Sequence, residues 1–66
     1  MLNLSDVLIS HPELEDFPAL VEQIRFEARH ARFFRIDIRP AFSDTPDNWE
    51  SVLESAFSGV IDEADG

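Results

Sequence analysis

The sequence predicts a small α+β, mainly helical domain. Its elements run helix, helix, strand, helix, and its one strand pairs with the same strand of a second copy. Three observations lead there. Apolar residues recur at helical spacing from Phe17 to Ala31 and again from Trp49 to Ile61. Apolar and charged residues alternate strictly from Phe34 to Arg39. No other segment reads as convincingly as a strand, so this one requires a partner strand from outside its own chain. The alternative is an all-α bundle of three to four short helices, with residues 33–39 prolonging the helix before them.

The first helix is short. Ser5 is placed to cap Asp6–Ile9, with Asp6 in the first turn and Leu4, Leu8 and Ile9 turned inward. Pro12 suits a first helical position, and Glu13–Asp16 has the length of about one turn. Pro18 repeats that signal. Asp16 or Phe17 is expected to cap a longer helix running to about Arg32.

That longer helix has two apolar faces. At about 100° per residue, Phe17, Leu20, Val21, Ile24, Ala28 and Ala31 share one side. Ala19, Phe26, His30 and Phe33 share the opposite side, and Arg25, Arg29 and Arg32 form a stripe between. A surface helix in a small monomer needs only one apolar face, so the second is expected to meet another protomer.

In the strand, Phe34, Ile36 and Ile38 are expected to face the core, with Arg35, Asp37 and Arg39 outward. Pro40 ends it. An antiparallel pair centred near Asp37 would set arginines and aspartates of two copies across from one another. Ala41–Thr45 is a loop. Thr45 and Pro46 are expected to open the last helix, with Trp49, Val52, Leu53, Ala56, Phe57, Val60 and Ile61 as its apolar stripe. Gly59 weakens that helix or lets another backbone approach. Residues 1–61 form one domain, and residues 62–66 an acidic mobile tail.

Size and composition narrow the function. At 66 residues the chain is one domain at most. A chain this short buries only about 60 % of its unfolded surface, and such domains are commonly reinforced by disulfides, metals or self-association. Cysteine is absent, which removes disulfides, thiolate metal sites and thiol catalysis. Self-association as a homodimer is therefore expected. Lack of cysteine also fits a cytoplasmic protein. No apolar run approaches the roughly 20 residues of a membrane span, and no signal peptide is evident.

Charge is distributed unevenly. The net charge is −9, yet all five cations are arginines lying between residues 25 and 39: Arg25, Arg29, Arg32, Arg35 and Arg39. Glu27 and Asp37 are the only acids in that stretch, so 12 of the 14 acids lie outside it. One reading pairs the arginines internally, at about 0–1 kcal/mol for each surface pair. The other docks them on a carboxylate-rich or phosphate-rich partner, for which guanidinium groups are suited.

Catalytic patterns are missing. There is no Gly-x-Ser-x-Gly turn, and two glycines cannot make a phosphate loop. His11 and His30, with Glu13 or Glu27, lack the spacing of a zinc motif, and Asp44–Glu50 lacks that of a calcium loop. No enzymatic activity, cofactor or metal is expected.

The sequence thus predicts a small regulatory or adaptor protein acting through protein–protein contact. Phe26, His30, Phe33, Phe34, Ile36 and Ile38 are its expected self-association surface. The five arginines and Trp49 are expected to bind a further, unidentified protein. Two alternatives are an acidic nucleic-acid mimic inhibiting a host DNA-handling enzyme, of the phage or mobile-element accessory type, and nucleic-acid binding through the arginine belt. Net charge makes nucleic acid the poorer partner.

Overall fold

The structure, a computed structural model, describes the backbone of residues 1–65 and the side chains of residues 1–59. The chain forms β1 (Leu2–Asn3), α1 (Leu4–Ser10), α2 (Phe17–Glu27), a 3₁₀ turn (Ala28–His30), β2 (Phe34–Arg35) and α3 (Trp49–Asp65). It is mainly helical, with one two-stranded sheet.

That sheet corrects the expected architecture. The strand beginning at Phe34 pairs within its own chain, in parallel, with Leu2 opposite Phe34 and Asn3 opposite Arg35. The amide of Leu2 donates to the carbonyl of Phe33 at 2.8 Å. The intermolecular strand pair is therefore replaced by an intramolecular one. β2 is also shorter than the alternating segment, because α1 starts at Leu4 and β1 offers only two residues to pair with.

Beyond Arg35 the chain serves α1 instead of a second copy. The Asp37 carboxylate accepts from the amide of Ser5 at 3.0 Å and from the Ser5 hydroxyl. Ser5 is thus a donor within the first turn, not the cap; Asn3 holds the cap position and makes no side-chain capping bond. An early amide of α1 is satisfied by a residue far along the chain, in keeping with the preference of carboxylates for helix N-termini. The Ser5 hydroxyl, then its amide, hold the Asp37 carboxyl below its ordinary value of 3.8, and Arg35 adds a smaller push the same way.

The sign of the resulting pH dependence follows. A folded-state value below the unfolded one contributes stability above pH 3.8, and that contribution disappears as pH falls through the lowered value. Asp37→Asn is expected to be less stable than wild type at neutral pH, with the gap closing in acid. Urea midpoints of both proteins across the acid range would check this. A gap that does not change with pH would mean that the carboxylate's charge is irrelevant to α1.

The start of α2 is satisfied by side chains. The amide of Phe17 donates to Asp44 at 2.9 Å, Pro18 has no N–H, and the amide of Ala19 donates to Asp16 at 2.9 Å. Asp16 is the cap, one of the two expected positions. α2 ends at Glu27, short of the expected Arg32, and Ala31 is already extended. The chain must turn there to bring Phe34 beside Leu2.

The core is the seam between α2 and α3, closed at one end by α1. Leu4, Val7, Phe17, Leu20, Ile24, Ala28, Leu53 and Phe57 are buried. The inward face expected for α2 is the one observed, with Val21 and Ala31 half-buried at its margins. Each fully buried leucine or isoleucine contributes about 1.5–3 kcal/mol. Phe34 stacks on Phe57, with ring centroids 5.4 Å apart. Pro40 is buried as well.

α3 begins at Trp49, three residues after Pro46, because the Thr45 hydroxyl donates to the Pro40 carbonyl instead of capping the helix. Val60 and Ile61 of its expected stripe lie outside the described side chains, and Gly66 of the expected tail lies outside the described residues. Gly59 is helical, without positive φ, and a Cβ built on it meets nothing within 4 Å. No backbone approaches it among the described residues. Gly59→Ala should therefore raise stability by about 0.5–1 kcal/mol, read from the urea midpoint. A loss would mean that this surface of α3 is covered.

Candidate protein-docking face

The core closes without two of the six phenylalanines. Phe26 is 60 % exposed and Phe33 67 % exposed. Phe26 lies on the outer side of α2, opposite Leu20 and Ile24. The 3₁₀ turn then brings His30 edge-on to it, with centroids 6.1 Å apart and planes at 68°. Residues 31–33 leave the helix, and the parallel register sets Met1, which is 78 % exposed, beside Phe33. Met1, His30 and Phe33 border a cleft of about 450 Å³ that also includes Glu27 and Arg32. A second cleft, of about 270 Å³, opens where Arg32 and Phe33 approach Phe57 and Glu54.

Among the described residues the arginines have no carboxylate partners. All five are exposed, and none makes an ion pair among the described residues. The two acids of the belt are engaged elsewhere. Asp37 binds Ser5. Glu27 accepts from Gln23 at 3.1 Å and lies 3.4 Å from Nε2 of His11. Nδ1 of His11 lies 3.4 Å from Glu13, and Gln23 approaches Nε2 at 3.2 Å. A ring protonated on Nδ1 donates to Glu13 and accepts from Gln23 at Nε2, and the second Gln23 hydrogen goes to Glu27; the approach of Glu27 to Nε2 is then a contact without a hydrogen bond. His11 and His30 belong to different surroundings, and no group of three or more metal-ligating side chains gathers among the described residues.

The residues expected to associate with a second copy are thus divided. Phe26, His30 and Phe33 lie together on the outer surface. Phe34 and Ile36 pack against the chain's own core, and Ile38 is 43 % exposed. Among the residues expected to meet a further protein, Trp49 is half-buried against the core. Arg25 borders a groove between α2 and α3 with Val21 and Val52, and Arg32 borders both clefts beside Phe33. Met1 was not legible as part of this face. Its place depends on β1, for which Leu2-Asn3-Leu4 offers only three residues of alternation.

No described polar or charged residue is buried, and no helix is long and apolar enough to cross a membrane among the described residues. Comparison with protein families, with curated proteins and with solved structures finds no match to this chain.

Proposed function

We propose that the chain is a non-enzymatic protein-binding module, a regulator or adaptor that works through the face formed by Met1, Phe26, His30 and Phe33. One observation carries this reading: two phenylalanine rings stand more than half exposed beside a core that is complete without them. Aromatic residues, methionine and arginine are the residue types enriched at the centres of protein interfaces. The non-enzymatic part of this reading draws on the surroundings of the histidines and carboxylates. His11 is held among Glu13, Gln23 and Glu27, His30 lies against a phenylalanine, and no described carboxylate is buried.

Another protein is the better occupant of this face than a second copy. The strand pair that was to join two copies is made within one chain. A symmetric contact through the aromatic face would also bring two arginine belts together, and like charges across an interface oppose association.

The test compares capture of cross-linked partners by three proteins: wild type, Phe26→Ser/Phe33→Ser, and an Ile9→Ser control. Ile9 is 77 % exposed and does not border the clefts beside Phe33. A partner held by wild type and control but lost by the double variant is the expected result. The same partners on all three proteins would remove the face from the function. Light scattering should give a mass near 7.5 kDa; a dimer that the double variant dissolves would put a second copy on the face.

A further inference from the structure

We infer that the occupant of this face is a short segment of another protein in which carboxylates stand among apolar side chains. This rests on the docking reading above and adds the chemistry of the partner.

The first ground is unmatched charge. Five arginines less Glu27 and Asp37 leave residues 25–39 at +3, in a chain of net charge −9. Carboxylates are abundant, yet the described ones that make side-chain bonds turn to other groups. Asp16 and Asp44 take amides of α2, Asp37 takes Ser5, and Glu27 takes Gln23. Among the described residues the five guanidinium groups are exposed and none is ion-paired.

The second ground is where those groups stand. Arg32 borders both clefts beside Phe33, and Arg25 borders the groove with Val21 and Val52. Each opening therefore has an arginine at its border; Glu27 and Glu54, respectively, also border the two clefts beside Phe33, but neither is ion-paired with Arg32. A segment that inserts an apolar side chain and carries a neighbouring carboxylate satisfies both at once. Arginine can grip such a carboxylate through two parallel hydrogen bonds.

A nucleic acid shares the negative charge but fits less well. Duplex DNA carries about one charge per 1.7 Å, so it presents roughly 20 along the 35 Å length of this molecule. Outside the belt the sequence carries 12 acids and no arginine or lysine, which repel those charges. A short peptide can confine its charge to the belt.

The experiment selects short random peptides displayed on phage against the wild-type chain. Affinities of the selected peptides are then measured by fluorescence anisotropy. The same peptides are measured on Arg25→Ser/Arg29→Ser/Arg32→Ser and on Phe26→Ser/Phe33→Ser, with folding of each variant checked by circular dichroism. The selected set should be net negative and rich in aromatic or aliphatic residues. Affinity should fall about tenfold or more on each variant, which corresponds to about 1.4 kcal/mol.

Neutral or basic peptides that still depend on the two rings would overturn the acidic partner while leaving the docking face intact. Peptides indifferent to both sets of substitutions, or no enrichment at all, would overturn both. A single-stranded oligothymidylate that binds more tightly than the selected peptides would give the belt to nucleic acid instead.

Discussion

Leu53→Ala will leave little of the fold standing. Leu53 is fully buried in the seam between α2 and α3, in one cluster with Leu20 and Ile24. Removing a buried leucine side chain costs about 2–5 kcal/mol, because apolar contact is lost and the cavity closes only in part. A domain of 66 residues has, at about 0.05–0.15 kcal/mol per residue, roughly 3–10 kcal/mol in all. The substitution thus removes a large fraction of the total. No disulfide is available to hold the remainder, since the chain has no cysteine. Circular dichroism in urea should show a strongly lowered midpoint, or unfolding without denaturant. A loss below about 1 kcal/mol would mean that the two helices do not share this core. Ile24→Val, which removes a single methyl group from the same cluster, should cost only about 0.5–1.5 kcal/mol.

Phe26→Ser/Phe33→Ser is expected to abolish partner binding on the scale of an interface hot spot. Each ring is more than half exposed and contributes little to the folded chain by itself. Seated in a partner's pocket, such a ring is worth about 2 kcal/mol or more, or roughly thirtyfold in affinity. The pair should therefore bring a micromolar interaction to the edge of detection. Titration of a captured partner, or of a selected peptide, against wild type, the double variant and the Ile9→Ser control would measure it. Equal affinity for all three would move the binding surface elsewhere.

Much of the helical framework is legible in the residues. The spacing of Phe17, Leu20, Ile24 and Ala28 gives the buried face of α2, and that of Leu53 and Phe57 gives the buried side of α3. Asp16 before Pro18 marks the start of α2 because a carboxylate and a proline each suit an N-terminal turn. The end of α2 carries no such mark. Ala28–Ala31 contains neither glycine nor proline, and the helix yields there because the chain must return to Leu2 and Phe57.

The strand pairing was hidden for a related reason. Alternation in residues 34–37 correctly turns Phe34 and Ile36 toward the core, with Arg35 and Asp37 outward. Its partner is a two-residue strand, too short to show any period. The bond from Ser5 to Asp37 joins residues 32 positions apart, and no local pattern announces it. Leu4 lies inside as expected, whereas Ile9 was expected inside and lies outside, because α1 starts earlier than the Ser5 signal suggests and turns Val7 inward instead.

The proposed docking face is legible in part. The second apolar side of α2 places Phe26 and His30 together and outward. Tertiary closure adds Met1, and the clefts that flank Phe33 arise only when residues 31–33 leave the helix.

Equilibrium urea unfolding of Phe26→Ser/Phe33→Ser beside wild type tests most directly whether the fold is complete without these rings. Two surface positions should change stability by no more than about 0.5 kcal/mol each, with the slope of the transition preserved. A deficit above about 2 kcal/mol would show that the rings are shielded by their own chain and are not held out for a partner.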